Sequence, residues 1–267
     1  MSIWKAENVM IGTARDGYTK SGYILHIVLS AAAGIGIILA ILFTVMQYVC
    51  YHDFDMYREE YEKYDVLSDL PEGVTMSDED GLMAVTKHMM KYLIGDKDTP
   101  DLQIQIRTKD GMRDFFSERE LLHMADCKVL FRKALQLRYL SVMFAIFVFI
   151  YGRYAIIREP KAFRKATGTG LLIGAGIFFA GCLVIGIYMA LNFSSAFITF
   201  HHIFFDNDLW LLDPRDSLLI NILPEGFFFD VFRKILVRFL PAAALFVLGA
   251  FLLWKKNRNV RLTFREF

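Results

Sequence analysis

The fold is decided by residues 200–215, whose sequence reads FHHIFFDNDLWLLDPR. They follow the run 166–200, which has no charged side chain, and they gather imidazoles, carboxylates, an amide, a guanidinium and aromatic rings. Aromatic rings settle at the headgroup level of a bilayer, and titratable groups so close to lipid usually serve a function, because leaving them unpaired costs free energy. We therefore expect a functional site at a membrane–water interface. The alternative is a hydrated loop that only caps a helix.

The composition is that of a polytopic membrane protein, since 55% of the 267 residues are apolar. A net charge of +1 does not provide the concentrated positive charge that nucleic-acid binding requires, so we expect no nucleic-acid partner. The three cysteines, Cys50, Cys127 and Cys182, lack the paired spacing of a zinc site. The sequence therefore predicts no metal centre.

Four apolar segments are each long enough to cross the roughly 30 Å hydrocarbon layer at about 1.5 Å per helical residue. The predicted fold class is an all-α polytopic membrane protein with four transmembrane helices and a small α+β extracytoplasmic insertion. Its predicted segments are a cytoplasmic N-terminus (1–22), the first transmembrane helix (23–50), an acidic extracytoplasmic α+β insertion (51–116), an outer amphipathic helix that continues into the second transmembrane helix (117–157), a basic cytoplasmic connector (158–167), the third transmembrane helix (168–200), an outer-face motif loop (201–234), the fourth transmembrane helix (235–254) and a basic cytoplasmic tail (255–267).

The insertion has local signals of its own. Residues 77–80, SDED, are typical of a helix start, and the helical pattern continues to about Ile94. Apolar and polar residues alternate over 102–107 and are followed by a turn signal at 109–111, which predicts a β-hairpin. Residues 117–120, SERE, fit a capping box, so a helix should begin at Ser117.

Orientation follows from the Lys and Arg residues beside each span, because positive charge is retained in the cytoplasm. The N-terminus, the connector 158–167 and the tail 255–267 are all basic. Four spans with both termini inside agree with all three. They would place the insertion and the motif loop 201–234 together on the outer face.

His123 and His201 are the candidate catalytic residues. Counted along straight helices at about 1.5 Å per residue, both stand about 44–50 Å above the cytoplasmic ends of their helices, so we expect them at one height. Two imidazoles can serve as acid and base near neutral pH. His202 would point about 100° away from His201 on a helix and is expected to support it, although periodicity does not say which of the two acts. Asp126, three residues after His123, is expected to orient that ring.

Cys127 lies one helical turn after His123, a spacing that would suit a thiolate–imidazole pair. A lone cysteine beside a membrane is more often a small apolar residue, and we favour that interpretation. The polar side chains of the motif loop can orient an imidazole or bind a cation, but Asn and Asp also build turns. Supporting roles are therefore predicted for Asp126, His202, Asp206, Asn207, Asp208, Trp210, Asp213 and Arg215.

Two blocks resemble a known family. The pattern FHxIFFxNDxWxLDP from Phe200, followed by LPExFF from Leu223, is similar to the signature of the bacterial lipoprotein intramolecular transacylase (Lit) family. The block FSExExxHMxD from Phe116 to Asp126 is similar to the other block of that family. In the family pattern valine stands at the position of Cys127, and the acidic insertion is longer here.

The resemblance implies a multi-pass enzyme of the bacterial cell membrane that acts on diacylglyceryl-modified lipoproteins among the membrane lipids. The sn-2 acyl chain would move from its glycerol oxygen to the α-amine of the N-terminal cysteine, giving the lyso-form, with His201 and His123 as catalytic residues and no cofactor. Two alternatives remain from the residues alone. One is a non-enzymatic sensor or scaffold, and the other is a metal-dependent membrane hydrolase built on His201, His202 and Asp206.

Overall fold

The computed structural model describes residues 18–68, 70, 79–108 and 111–265. The predicted cap at Ser77 and Asp78 and the predicted turn residues Lys109 and Asp110 lie outside them. In chain order the elements are α1 (Lys20–Tyr51), α2 (Phe54–Lys63), α3 (Glu79–Ile94), β1 (Gln105–Thr108), β2 (Gly111–Asp114), α4 (Glu118–Tyr151), a π-helical turn (Gly152–Ile156), α5 (Pro160–Leu191), α6 (Phe193–Phe204), α7 (Leu218–Ile222) and α8 (Glu225–Asn257).

Four of the described helices are long and apolar enough to cross a membrane: α1, α4 together with its π-helical turn, α5 and α8. Each of them carries one predicted apolar segment, although residues 192–200 of the third segment lie beyond α5. The protein is therefore mostly helical, with four candidate spans and a small two-stranded sheet.

The third and fourth spans differ from the prediction. We predicted one helix over 168–200, whereas α5 begins at Pro160 and ends at Leu191. Asn192 is extended, and its side chain caps α6 by accepting a hydrogen bond from the Ser195 amide at 2.9 Å. Asparagine is more favourable at such an N-cap than inside a helix. The helix of the fourth span, α8, begins at Glu225, ten residues earlier than predicted. Pro224 lies directly before its first residue, where a proline is tolerated, and so does not interrupt the helix.

The chain forms two compact units. The first contains the described residues up to Leu42, Leu137–Ile185 and the chain from Phe239 on. In it, α5 packs so closely on α1 that a Cβ at Gly170 would lie 2.4 Å from the Ile27 carbonyl oxygen, and one at Gly174 would lie 2.2 Å from that of Ala31. Only glycine permits this approach of two backbones. At Gly152, where α4 becomes π-helical, a Cβ would overlap the buried ring of His26.

The second unit comprises Phe43–Gln136 and Gly186–Arg238. The predicted hairpin is present, with β1 and β2 antiparallel and Gln105 opposite Asp114. The predicted helix is present as α3, which ends where Gly95 adopts a φ of +76° and the Asp96 amide bonds to the Lys91 carbonyl. One apolar core joins α2, α3, the residues flanking the hairpin, α7 and the start of α8. It includes Met56, Tyr61, Leu82, Met89, Phe115, Ile222 and Phe227.

Candidate active site

The two predicted histidines meet in the second unit. His123 lies in the second turn of α4 and His201 near the end of α6, and their ring centres are 6.1 Å apart. Each side chain is only 7% exposed, and Phe205 packs against both rings. The break at Asn192 means that the straight-helix height count for His201 was wrong, although the expected convergence is found.

His201 is held in a defined tautomer. Its Nδ1 lies 2.7 Å from the carbonyl oxygen of Phe197, one turn earlier on α6. A carbonyl can only accept, so Nδ1 carries the hydrogen and Nε2 of the neutral ring keeps its lone pair. Burial lowers the pKa of His201 below its ordinary value, the hydrogen bond to Phe197 opposes this, and the nearby His202 adds to it. Nε2 of His201 is therefore an available base at neutral pH.

His123 is held differently from the prediction. Its Nε2 lies 3.6 Å from the sulfur of Cys127, and its buried Nδ1 has no hydrogen-bond partner among the described residues. Asp126 was expected to orient this ring; its charge raises the pKa of His123 against the larger lowering by burial, but it does not hydrogen-bond to Nδ1. Its Oδ2 instead accepts a hydrogen bond from the amide of Asn207 at 2.9 Å, because the motif loop brings a better donor to the exposed side of α4.

The motif loop is fixed at its exposed positions by one local turn and by contacts with α4. The Asn207 side chain accepts from the Leu209 amide at 3.0 Å, which forms a local turn. Arg119 of α4 donates to the Asp208 carbonyl oxygen. Asp206 is exposed, and so is the Asp208 side chain. The loop is therefore held against α4 by the Asn207 side chain and the Asp208 carbonyl, and not by the carboxylates of Asp206 and Asp208.

Trp210 is the loop residue that reaches the imidazoles. Its ring stacks on His201, with centres 4.7 Å apart and planes 28° apart, and meets the exposed His202 edge-on at 5.1 Å. The side chain is 9% exposed. Its indole Nε1 is buried and finds no hydrogen-bond partner within the part of the chain that the structure describes.

Asp213 and Arg215 form the predicted turn. Arg215 donates to both oxygens of Asp213, at 2.5 Å from Nη2 and 3.0 Å from Nε, and the Asp213 carbonyl accepts from the Ser217 amide. The hydrogen bonds from Arg215 lower the pKa of Asp213 to about 2. Both side chains are substantially exposed. Their pairing with each other indicates a role in shaping the turn.

Glu120 has a role that the sequence did not reveal. It completes the predicted capping box, because the Ser117 amide donates to its Oε2 at 2.6 Å. It is also 1% exposed, and its Oε1 accepts from the Ser217 hydroxyl at 2.6 Å and from the Leu219 amide at 2.7 Å. One buried carboxyl group thus ties the first turn of α4 to the start of α7. No sequence pattern links position 120 to positions 217 and 219.

The family model described as lipoprotein intramolecular transacylase Lit matches residues 31–228. The chain belongs to the Lit family. The membrane-integral Lit of Bacillus cereus, solved in meso, is similar in structure at 21% identity with a TM-score of 0.64, covering 88% of this chain and 99% of that one. A histidine-to-alanine variant of the same protein gives 21% identity, a TM-score of 0.62 and coverage of 88% and 96%. No curated protein matches the chain.

Membership in the Lit family confirms the resemblance drawn from the two sequence blocks. It supports a lipoprotein intramolecular transacylase, hence an enzyme of a bacterial membrane whose substrates are lipoproteins. A non-enzymatic scaffold is disfavoured for the same reason. The metal-dependent alternative gains no support, because His201 is buried while His202 and Asp206 are exposed, and no group of three or more His, Cys, Asp or Glu among the described residues could hold a metal ion.

Proposed function

We propose that the protein moves the sn-2 acyl chain of a diacylglyceryl-modified lipoprotein from its glycerol oxygen to the α-amine of the same N-terminal cysteine. The product is an N-acyl, S-monoacyl lipoprotein. The observation that carries the proposal is the convergence of His123 and His201 in a buried aromatic cluster, with Nε2 of His201 left as a base. Aminolysis of an ester needs a base for the amine and a means of protonating the departing oxygen.

The reaction is balanced without a cofactor. The amine nitrogen attacks the sn-2 carbonyl carbon, a C–N bond forms, and the carbonyl oxygen becomes an oxyanion. The C–O bond to glycerol then breaks, and the proton lost by the nitrogen ends on the glycerol oxygen. Amine and ester belong to one molecule, so the protein chiefly has to hold them at attack distance.

His201 is assigned as the base that takes the proton from the attacking nitrogen. Its fixed tautomer supports this role, because Nδ1 is occupied by the Phe197 carbonyl and Nε2 keeps the lone pair that can take a proton. His123 is assigned to the developing oxyanion or to protonation of the glycerol oxygen. Its unpartnered Nδ1 supports either role. The motif loop residues from Asp206 to Arg215 are assigned organisational roles.

We also propose the orientation that the positive-inside rule predicts. The N-terminus, the connector 158–167 and the tail 255–267 lie in the cytoplasm, and the acidic insertion and the motif loop lie outside. Both histidines would then stand at the outer face of the cell membrane. Lipoproteins with a free α-amine and an esterified glycerol are presented there.

Mass spectrometry of lipoprotein N-termini tests this function. The protein is expressed in a bacterial host that has no lyso-form lipoproteins and keeps diacylglyceryl lipoproteins with a free amine. We expect a new species in which one acyl chain has moved to nitrogen with no change in mass. A host that expresses the protein at the membrane and still has only O-diacyl lipoproteins would overturn the proposal.

A further inference from the structure

The indole N–H of Trp210 is a buried donor without an acceptor. Trp210 is 9% exposed, and its Nε1 has no hydrogen-bond partner among the described residues. An indole nitrogen can donate but cannot accept. Buried donors are nearly always paired, because an unpaired one forfeits its hydrogen bonds to water, so an exception in a folded protein calls for an explanation.

The position of this donor is set by ring stacking and by the backbone turn that holds Trp210. The indole ring stacks on the His201 ring at 4.7 Å, and Trp210 lies in a tight turn in which the Leu212 amide donates to its carbonyl oxygen at 3.0 Å. Phe197 and Phe205 also pack against His201. Stacking on the imidazole would therefore be satisfied by phenylalanine. The indole differs from it by carrying an N–H.

A second unpartnered polar atom belongs to the same cluster. His123 Nδ1 is buried and has no partner among the described residues, and its ring centre lies 6.1 Å from that of His201. The base is thus accompanied by two buried nitrogens that lack partners among the described residues, and phenylalanine rings pack around the two imidazoles. An ester carbonyl has acceptor oxygens and no donor. It is the kind of group that such nitrogens can bind.

We propose that Trp210 is a further catalytic residue whose indole N–H donates to the sn-2 carbonyl oxygen and holds the oxyanion of the tetrahedral intermediate. This inference rests on the proposed acyl transfer. As the C–N bond forms, the π pair of the carbonyl moves onto the oxygen that the indole holds. The pair returns as the C–O bond to glycerol breaks, and the proton that His201 took from nitrogen ends on the glycerol oxygen. Trp210 keeps its own proton throughout.

Two replacements separate the donor from the ring. The benzothienyl analogue of tryptophan at position 210 keeps the bicyclic shape and replaces N–H by sulfur, and Trp210→Phe keeps an aromatic ring. With a synthetic diacylglyceryl lipopeptide, we expect kcat to fall on the order of 10²-fold for each, as for other single oxyanion donors. KM and the thermal midpoint should stay close to those of the unsubstituted protein. Trp254→Phe, in the first unit, is the matched control and should keep the full rate.

A thionoester at the sn-2 position supplies a readout that a purely structural role would not change. In a thionoester, sulfur replaces the carbonyl oxygen and carries the negative charge of the tetrahedral intermediate. Sulfur is a weak hydrogen-bond acceptor, so the indole N–H stabilises that intermediate little. The ratio of oxoester to thionoester rates should therefore drop by about the same factor as kcat in both variants. That ratio does not depend on how much of the variant is folded, so partial misfolding does not obscure it.

The outcomes distinguish this inference from the function on which it rests. No transfer by the unsubstituted protein would overturn the proposed function itself. Transfer by that protein together with an unchanged oxoester-to-thionoester ratio in the benzothienyl variant would leave the function standing and overturn the role of Trp210. A reduced ratio in both variants, with the ratio unchanged in Trp254→Phe, supports it.

Discussion

At the scale of single residues, the site consists of two imidazoles whose free nitrogens differ. His201 has its Nδ1 committed to the Phe197 carbonyl, whereas His123 has a buried Nδ1 without a partner among the described residues and an Nε2 that faces Cys127. This difference in the partners of their ring nitrogens suits two different roles for the two histidines. One ring keeps a lone pair on Nε2 that can accept a proton, and the other has a buried nitrogen that no described residue binds.

Alanine replacement of either histidine should remove most turnover. A general acid or base contributes a factor of about 10² to 10⁴, so we expect losses in that range for His201→Ala and for His123→Ala, with lipoprotein binding retained. The double variant should be little worse than the poorer single one, because residues that act together are not additive. Single-turnover rates on a lipopeptide measure this.

His202→Ala and Asp213→Asn are the controls for that series. His202 is exposed, and Asp213 pairs with Arg215 in an exposed turn, so both variants should lose much less activity than His201→Ala. Complete loss in a folded His202→Ala protein, with His201→Ala active, would move the site assignment by one residue.

The pH dependence should report the protonation of His201. Protonation fills the Nε2 lone pair, so the rate should fall as the pH drops through the pKa of His201. Burial lowers that pKa, so the acid limb of the rate profile should lie below the ordinary histidine value of about 6.5. His202→Gln removes a neighbour that lowers this pKa, so the acid limb should move to higher pH in that variant. An acid limb that moved to lower pH would contradict the assignment.

At the scale of elements, the site depends on how α4, α6 and α7 are joined. Asn192 ends the long apolar helix and starts α6, which carries His201. Glu120 ties the first turn of α4, one turn before His123, to Ser217 and Leu219 at the start of α7. A buried carboxyl group with three donors thus fixes the start of α7, which follows the motif residues 206–215, against the first turn of α4.

Replacement of Glu120 should destabilise the second unit. Glu120→Ala would leave the Ser117 and Leu219 amides and the Ser217 hydroxyl without their acceptor. Each buried donor left unpaired lowers the free energy of unfolding by about 1–3 kcal/mol. Glu120→Gln keeps the shape but loses acceptor capacity, so its loss should be smaller. The thermal midpoint in detergent measures both. Glu118→Gln, an exposed neighbour in the same turn, is the matched control and should be unchanged. Equal midpoints for Glu120→Ala and the unsubstituted protein would contradict this role.

Local patterns predicted the elements that depend on local interactions. The helix ending at Ile94, the hairpin and the capping box at Ser117 each follow from neighbouring residues, and all three are present. The early start of α8 at Glu225 and the break at Asn192 were missed, because apolar composition alone does not mark where a helix is capped.

The sequence predicted the two histidines of the candidate site, but it did not predict the contacts that hold the site together. The meeting of His123 and His201 was expected from two motif blocks and from equal heights along straight helices. The structure brings the two rings together, although the break at Asn192 invalidates the height count for His201. The Asp126 to Asn207 bond, the stacking of Trp210 on His201 and the three bonds of Glu120 join residues from distant parts of the chain. Such contacts depend on tertiary packing, which sequence spacing does not encode.

At the scale of the whole molecule, the proposed orientation depends on charge. Cysteine labelling tests it in a background without Cys50, Cys127 and Cys182. We expect Lys97→Cys and Arg215→Cys to react with an impermeant reagent from outside, and Lys161→Cys and Lys256→Cys to react only after the membrane is opened, because basic connectors are retained inside. All four positions are exposed, so burial does not limit the reagent. Outside labelling of Lys161→Cys would contradict a common outer location of the two histidines.

The central claim is that the acyl chain moves within one lipoprotein molecule at the histidine pair. The most direct measurement mixes two lipopeptides with the purified protein, one with deuterated sn-2 acyl chain and heavy peptide and the other with both parts light, and reads the products by mass spectrometry. We predict N-acyl products in which heavy acyl stays with heavy peptide and light with light, formed by the unsubstituted protein and lost in His201→Ala. Products that mix heavy and light parts, or released fatty acid in their place, would contradict the account.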